Sequence, residues 1–261
     1  MRRGMAAMGA ATDLAFALDP VAWARSAGFV AYPWQEGVLR SNGKGLLLNC
    51  SRQSGKSTVA ALLALHGALY SPGSLSLLLS PALRQSSELF RKVIEAYRQI
   101  PEPVATVAES ALRLELVNGS RIIALPGREM TVRGYSGVSL LVVDEASRVE
   151  SDLYFALRPM LAVSNGRLVA LSTPKGRRGW WHEVWAEGGD RWERVKVTAS
   201  ECPRISAEFL AEEKRSMPLA WYRSEYLCEF IDPVGAVFAY EDIRAAITYE
   251  VEPLYPEVYA S

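Results

Sequence analysis

The sequence contains little cysteine and has no excess of either charge. Its 261 residues include three cysteines, Cys50, Cys202 and Cys228, without the spacing of a metal site. Such sparse usage is typical of a reduced, cytosolic protein and not of a disulfide-stabilised secreted one. Basic and acidic side chains number 29 each, so the formal net charge is zero. A global basic field is therefore excluded, and any nucleic-acid contact has to come from a local patch.

Long apolar runs are missing as well. No stretch is long and apolar enough to span a bilayer, so we expect no membrane partner. Asp13 interrupts the short apolar stretch from Met5 to Leu18, which argues against a signal peptide and predicts an amphipathic lead-in helix. A hydrophobic content of 49% is enough for the core of one large α/β domain.

Strand and helix patterns alternate along the chain. This alternation predicts a mostly parallel sheet with helices on both faces. Asn118-Gly119 between two apolar runs predicts a hairpin with a type I′ turn. The predicted strands are Gly45–Leu48, Leu75–Ser80, Leu112–Val117, Arg121–Leu125, Ser139–Val143, Arg167–Leu171 and Trp192–Val197. The predicted helices are Val59–Tyr70, Ala82–Ile100, Glu150–Val163 (bent or shortened at Pro159), Gly179–Glu187, Ser206–Ser216 and Leu219–Leu227.

The segment from Cys50 to Thr58 joins the first predicted strand to the following helix and contains Gly55-Lys56-Ser57. Strand, loop, Gly-Lys-Ser and helix in this order predict a phosphate-binding loop whose backbone N–H groups face an anion. Lys56 would reach the β- and γ-phosphates, and the Ser57 hydroxyl would ligate Mg²⁺. The usual pattern begins with glycine where this chain has Cys50, so the motif is incomplete.

A second motif, Asp144-Glu145, ends the apolar run Leu140–Val143. A strand buried on both faces seldom ends in two acids without a function, since unpaired charges are rarely buried. We expect the first acid to hold Mg²⁺ and the second to position and deprotonate a water molecule.

Two further segments each allow two interpretations. Trp34 and Gln35 upstream of the loop suit adenine, by stacking and by amide hydrogen bonds, or else simply pack on the core. Ser172-Thr173 follows a predicted strand at the edge where ligands bind in open α/β sheets, or else caps the strand before Pro174.

Several arginines are candidates for catalysis or for DNA contact. Arg133, on a glycine-rich loop before the acid-tipped strand, is either a surface residue or an arginine finger, and Arg52 is its rival for that role. The tryptophans at 180, 181, 185 and 192 lie among arginines, a pattern found both in nucleic-acid sites and in amphipathic core helices. The candidate DNA contacts, all weak and directed at phosphates, are Arg121, Arg128, Arg177 and Arg178.

Taken in order, these segments resemble the N-terminal ATPase domain of the large terminase subunit, the DNA-packaging motor of tailed double-stranded DNA phages. The resemblance covers roughly residues 32–238. The segments that carry it are Pro33-Trp34-Gln35, Ser51 to Ser57, Arg133-Gly134, Val142 to Glu145, Leu171 to Pro174 and Glu225 to Phe230. The family tolerates replacement of the first loop glycine and an arginine within the loop, so Cys50 and Arg52 fit it.

The resemblance implies a P-loop NTPase fold of the RecA-like, additional-strand type, with ATP and Mg²⁺ as cofactors. It implies a helical lead-in at 1–31, the ATPase domain at 32–232, and a linker at 233–261 toward a nuclease domain that we do not expect in this chain. The implied partners are double-stranded DNA, the portal protein, the small terminase subunit and further copies of the chain in a ring on the capsid, in the host cytoplasm.

The residue roles also follow from the resemblance. The implied ATP-binding residues are Trp34, Gln35, Arg52, Gln53, Ser54, Gly55, Lys56, Ser57 and Thr58. Ser57 and Asp144 would hold the metal, Glu145 the attacking water, and Ser172 and Thr173 would couple hydrolysis to movement. Arg133 corresponds to the arginine that the family is proposed to offer to a neighbouring subunit.

Two alternatives stay open at this point. A helicase-like ATPase shares these motifs but needs a second RecA-like domain, for which the residues after Pro233 leave no room. A nucleotide-gated DNA-binding scaffold needs no catalytic acid, and the presence of Glu145 disfavours it.

Overall fold

The computed structural model describes residues 9–101, 103–127 and 134–232, together with 242, 245 and 246. The helices are α1 Ala10–Leu18, α2 Pro20–Ser26, α3 Pro33–Arg40, α4 Lys56–Tyr70, α5 Leu83–Arg98, α6 Ser151–Leu157, α7 Gly179–Glu187, α8 Ala207–Ser216 and α9 Leu219–Glu225. The strands are β1 Gly45–Cys50, β2 Leu75–Ser80, β3 Thr106–Glu109, β4 Arg113–Leu116, β5 Arg121–Pro126, β6 Leu140–Asp144, β7 Arg167–Ser172 and β8 Trp192–Val197. Short 3₁₀ turns cover Ala146–Arg148, Arg158–Leu161 and Ala199–Glu201.

All eight strands form one sheet in the order β3-β4-β5-β2-β6-β7-β1-β8. The six strands from β5 to β8 in this order are parallel, and β3 and β4 extend the sheet as an antiparallel edge. The central strands are buried along their whole length, which is why they are continuous apolar runs without a polar alternation. The predicted mostly parallel sheet is confirmed.

Helices cover both faces of this sheet. Leu46 and Leu48 of β1 pack on one side with α2 to α5, whereas Leu47 points to the other side, which α6 and α7 cover. Successive strand residues face opposite sides of a sheet, so a single apolar run serves both cores. The prediction of helices on both faces is confirmed.

The sheet brings the motif-bearing loops together. Strand β7 lies between β6 and β1, and all three are parallel, so the loops that follow them emerge at the same edge. Those loops contain Ser51 to Gly55, Glu145, and Thr173-Pro174. Open α/β sheets bind ligands at this carboxyl edge.

The predicted lead-in helix is present as α1 Ala10–Leu18, and a second helix, α2, that was not predicted follows it. Asp19 ends α1, and its carboxylate accepts a hydrogen bond from the Val21 amide, which caps a second helix with Pro20 in its first turn. Helix α3, which the sequence analysis did not predict, follows from Pro33. Residues 1–8 lie outside the described part of the chain, and so does most of the segment 233–261 that was predicted to be a tail.

The predicted hairpin exists, but its turn is not of type I′. Only Gly119 has a positive φ, of 83°, whereas a type I′ turn needs positive φ at both central residues. Leu116 and Ser120 close a three-residue loop instead, with the Gly119 amide donating back to the Leu116 carbonyl. The Asn118 amide donates to the Ala68 carbonyl at the end of α4, which ties the turn to that helix.

The tryptophans of α7 are core residues. Trp180 is 1% exposed, stacks on Tyr154 at a ring-centroid distance of 4.1 Å, and donates from its indole nitrogen to the Val149 carbonyl. Trp181 is also buried. These contacts decide between the two interpretations of the tryptophan cluster in favour of core packing.

Within the described ranges, no helix combines the length and the apolar character that crossing a bilayer requires.

Candidate functional site

The loop between β1 and α4 has a backbone that most residues avoid. Gln53 and Gly55 have φ values of 60° and 94°, both in the left-handed region. A Cβ on Gly55 would lie 2.9 Å from the Gln35 amide nitrogen and 3.1 Å from an Arg204 nitrogen. Glycine is therefore favoured at 55 by its left-handed backbone, and a side chain there would also displace the ends of Gln35 and Arg204.

Cys50 replaces the usual first glycine without strain. It is the last residue of the fully buried strand β1, and its side chain packs in the core. Burial raises the pKa of its thiol, so it behaves as a small apolar side chain. A buried strand end places no special demand on φ, which explains why cysteine fits here.

Lys56 begins α4 at the base of the loop. Its ammonium group is nearly buried and lies 3.4 Å from both the Ser51 carbonyl and the Thr173 hydroxyl. The Thr173 hydroxyl donates in turn to the Cys50 carbonyl. These contacts hold the Lys56 ammonium group against the loop, where it would bind a phosphate together with the backbone N–H groups of the loop.

Ser57 and Asp144 meet at the carboxyl edge. The Ser57 hydroxyl donates to Asp144 Oδ2 at 3.2 Å, across the gap between α4 and β6. Burial, together with the charge of Glu145, raises the pKa of Asp144 to about 6. A buried carboxylate beside a hydroxyl fits a hard divalent cation, which prefers oxygen ligands and would offset the cost of burying the charge.

Glu145 has a left-handed backbone with a φ of 51°, which is uncommon for a residue other than glycine. Its amide donates to Asp144 Oδ1 at 2.9 Å, and its carboxylate lies 3.6 Å from the Arg148 guanidinium nitrogen Nε. The two neighbouring acids therefore have different surroundings, since Asp144 is buried against Ser57 and Glu145 faces an arginine.

A polar cavity of about 480 Å³ lies in front of these groups. Its lining includes the loop and α4 residues Arg52, Gln53, Ser54, Gly55, Lys56, Ser57 and Thr58, together with Glu145. It also includes Gln85, Lys92, Arg148 and Arg204, which the sequence analysis missed. Arg148, three residues after Glu145, was detectable from its spacing, whereas Arg204 reaches the loop only through the tertiary fold.

The remaining predicted ATP-binding residues lie beside the loop. Gln35 is buried, and its side-chain oxygen accepts from the Tyr32 amide at 2.8 Å, so it caps α3 while its nitrogen faces Gly55. Trp34 is partly buried against the core. The Gln35 contact ties α3 to the loop, and the adenine role of both residues stays a prediction.

Arg52 points toward the C-terminal helices. It forms a two-pronged ion pair with Glu225 of α9, although most of the arginine side chain is exposed. Arg204 approaches the loop from the same side and donates to the Gln53 carbonyl at 2.9 Å. The C-terminal helical segment thus contacts the loop at two points.

Ser172 connects the end of β7 to the segment after Glu145. Its buried hydroxyl accepts from the Ser147 amide at 3.1 Å. Because Thr173 contacts Lys56, the pair Ser172-Thr173 links the loop on one side with the Glu145 turn on the other. This placement is consistent with the predicted coupling role, which stays a prediction.

The candidate DNA contacts do not form one patch. Arg121 begins β5 at the amino edge of the parallel strands, whereas Arg177 and Arg178 follow β7 at the carboxyl edge. The Arg177 guanidinium donates a hydrogen bond to the Phe230 carbonyl at 3.1 Å and lies 3.9 Å from the Asp232 carboxylate. Arg128 and Arg133 lie outside the described residues.

Solved structures of similar fold are large terminases. The large terminase ATPase domain of Thermus phage P74-26 has a TM-score of 0.71 and 24% identity, covering 79% of this chain and 96% of that one. The large terminase of bacteriophage HK97 has a TM-score of 0.63 and 15% identity, covering 77% of this chain and 51% of that one. These likenesses confirm the predicted fold class.

Sequence relatives lead to the same family. The terminase large subunits of Thermus phage G20c and Thermus virus P23-45 are 25% and 26% identical over 259 residues, covering 85% of this chain. The chain spans about half (53%) of the length of each. The family described as "Terminase large subunit, T4likevirus-type, N-terminal" matches residues 47–245, which is more than half of the chain. The chain therefore belongs to the family of terminase large subunits, in its N-terminal region.

Proposed function

We propose that this chain binds Mg-ATP at the carboxyl edge of its sheet and hydrolyses it, as the motor domain that drives double-stranded viral DNA into a capsid. One observation supports this most strongly. The Ser57 hydroxyl and the Asp144 carboxylate meet at 3.2 Å behind a strained phosphate-type loop, with Glu145 on the next turn of chain. A scaffold that binds nucleotide without hydrolysing it needs no acid at the position of Glu145.

Binding follows from the loop. Its backbone N–H groups and the start of α4 attract the phosphates, and Lys56 neutralises the β- and γ-phosphates. Ser57 and Asp144 would hold Mg²⁺, which supplies positive charge to the β- and γ-oxygens. The negative charge of the nucleotide is therefore balanced by one ammonium group, the loop amides and the metal that these two residues hold.

Glu145 acts on the water. Its carboxylate accepts a proton as the water oxygen forms a bond to the γ-phosphorus, and the bond from that phosphorus to the β–γ bridging oxygen breaks. The products are ADP and inorganic phosphate. The Asp144 oxygens accept hydrogen bonds from Ser57 and from the Glu145 amide and would hold the metal, which leaves Glu145 to accept the proton.

The coupling of ATP hydrolysis to movement would use the contacts made by Ser172 and Thr173 at the end of β7. Thr173 touches Lys56, and Ser172 touches Ser147 beside the Glu145 turn. A change at the γ-phosphate is thereby passed to the segment that contains Arg177 and Arg178. We assign the ATPase domain to residues 32–232, with a helical lead-in before it and a linker after it.

The partners follow from the same proposal. A packaging motor contacts double-stranded DNA, the portal protein, the small terminase subunit and neighbouring copies of itself, in the host cytoplasm during infection. Arg133 or Arg52 would supply the arginine that neutralises charge developing on the γ-phosphate.

Phosphate release from Mg-ATP tests the proposal. The purified chain should turn over ATP, and Lys56→Ala should lose both nucleotide binding and turnover because the phosphate charge is no longer neutralised. A chain that binds ATP without any turnover would instead be a nucleotide-gated scaffold. Turnover that survives Lys56→Ala would mean that a contaminating ATPase was measured.

A further inference from the structure

Strand β2 ends in Ser80, a fully buried serine with an unpaired hydroxyl. The residue is 0% exposed, and its Oγ atom has no hydrogen-bond partner within the described part of the chain. The backbone is held in place, because the Ser80 carbonyl accepts a hydrogen bond from the Gly127 amide at 2.7 Å. A buried hydroxyl without a partner destabilises a fold, so native structures keep few of them. The position of Ser80 in the sheet gives a reason for this one.

The strand register places Ser80 beside Asp144. Strands β2 and β6 are parallel neighbours, and Leu79 pairs with Val143. One residue further on, Ser80 and Asp144 end their strands side by side, with backbones about 5 Å apart at the usual spacing of strands. The unpaired hydroxyl therefore lies next to the carboxylate that is proposed to hold the metal.

Both side chains lie on the face of the sheet that α4 covers. Leu78 and Val142, two residues earlier, pack in the core on that face, and strand residues two apart point to the same side. From α4, the Ser57 hydroxyl donates to Asp144 at 3.2 Å. The buried carboxylate thus has two serine hydroxyls beside it, of which the one from α4 is hydrogen-bonded and the one from β2 is not.

A hydrated cation would use the second hydroxyl. Mg²⁺ gives up its water reluctantly and keeps several water molecules when a protein binds it. The protons of these waters need acceptors, and a serine hydroxyl has two lone pairs to offer. In metalloproteins, side chains that hydrogen-bond the groups around a metal contribute to its affinity without touching it. Ser80 has the chemistry, the burial and the placement for such a role.

We propose that Ser80 is a positioning residue of the Mg²⁺ site, where its hydroxyl binds a water molecule of the metal's coordination shell beside Asp144. The inference rests on the proposed ATPase function and adds a residue from β2 to the metal residues Ser57 and Asp144. The hydroxyl is a cost to the metal-free chain and is satisfied once the metal is bound. Its removal therefore has opposite effects on the metal-free chain and on the metal complex.

Two measurements on Ser80→Ala test the assignment. In EDTA and without nucleotide, the variant should unfold about 2–6 °C above the parent chain, because the unpaired hydroxyl is gone. Titration with ADP, in EDTA and in saturating Mg²⁺, gives the factor by which the metal tightens ADP binding. This factor should fall by about 10-fold in Ser80→Ala, whereas ADP affinity in EDTA should stay within about twofold of the parent value.

Ser86→Ala is the matched control. Ser86 is also 0% exposed, but its hydroxyl donates to the Leu125 carbonyl at 2.7 Å. Its loss should lower the unfolding temperature and leave the Mg²⁺ factor unchanged, since a paired hydroxyl away from Asp144 is removed. Ser80→Cys is a second variant, similar in shape but weak in hydrogen bonding, and it should lower the Mg²⁺ factor as Ser80→Ala does.

A Ser80→Ala chain that keeps the parent's Mg²⁺ factor overturns the proposal, and so does one that is destabilised in EDTA as Ser86→Ala is. If Mg²⁺ tightens ADP binding to the parent chain in the same experiment, such a result removes only the role of Ser80. A parent chain that binds no ADP, or binds it equally well with and without Mg²⁺, removes the proposed metal-dependent function as well.

Discussion

Asp144 is buried at the end of β6 and destabilises the nucleotide-free chain at neutral pH. Its pKa is raised from 3.8 to about 6, first by burial and then by the charge of Glu145. Above pH 6 the carboxylate is charged in both the folded and the unfolded chain, and folding has to bury that charge. As the pH falls from about 6 to about 4, the folded chain takes up the proton first, so the destabilisation by this group is progressively relieved.

Asp144→Asn should therefore stabilise the chain. We expect a gain of roughly 1–3 kcal/mol in the free energy of unfolding at pH 8, shrinking toward zero near pH 4. Denaturant unfolding across this pH range, in EDTA and without nucleotide, measures it. A gain that grew on acidification would mean that the carboxylate is not destabilised by burial.

At the scale of single residues, local motifs predicted several residues that the structure brings together, but not the tertiary neighbours of those residues. Lys56 and Ser57 are adjacent to the loop in sequence, and Asp144 stands at the end of a recognisable strand, so all three could be named before their contacts were known. Lys92 and Arg204 reach the same cavity from α5 and from the segment before α8. No local pattern distinguishes such residues from solvent-exposed ones.

At the scale of elements, one glycine precedes α4 and another lies within it, and we expect alanine to have opposite effects at the two positions. Gly55 precedes the helix with a φ of 94°, so Gly55→Ala should weaken ADP binding by about 5- to 30-fold because the loop must hold a left-handed alanine. Gly67 lies inside the helix, and a Cβ there meets nothing within 4 Å. Gly67→Ala should stabilise the fold by about 0.5–1 kcal/mol and leave ADP binding unchanged. Calorimetric titration and thermal unfolding of both variants check this, and equal ADP affinities would contradict the loop geometry.

Each feature that the sequence analysis missed has its own physical reason. All four residues of β3 are exposed, so this edge strand has no alternation of apolar and polar residues to reveal it. Helix α3 is short, and its start depends on the Gln35 side chain capping the Tyr32 amide. The hairpin turn was located correctly, but the contact of Asn118 with the end of α4 is a tertiary feature that a dipeptide rule does not include.

At the scale of the whole molecule, a parallel sheet follows from apolar runs alternating with helices, but the strand order does not. Placing β7 between β6 and β1 depends on pairing over long sequence separations. That order decides that Ser172-Thr173 lies between the phosphate loop and the Glu145 turn. The sequence predicted which segments form the site and not how they are arranged around it.

The two edges of the sheet make the DNA contact testable. Arg178 is exposed and follows the segment that contacts the hydrolysis site, whereas Arg121 lies at the opposite edge. We expect Arg178→Ala to weaken DNA binding and to reduce the slope of log K against log salt by about 1, as the loss of one phosphate contact does. Arg121, the candidate contact at the amino edge, is the comparison, and we expect Arg121→Ala to change neither quantity because the DNA then lies at the carboxyl edge. The reverse pattern would place the DNA at the amino edge.

The central claim is that Glu145 positions the attacking water in a site that binds ATP without it. The most direct test compares single-turnover hydrolysis and ATP affinity in the parent chain and in Glu145→Gln. We predict that the variant binds Mg-ATP at least as tightly as the parent chain and hydrolyses it about 10²–10⁴-fold more slowly, because the amide cannot take the proton. A Glu145→Gln chain that hydrolyses ATP at the parent rate would contradict the account.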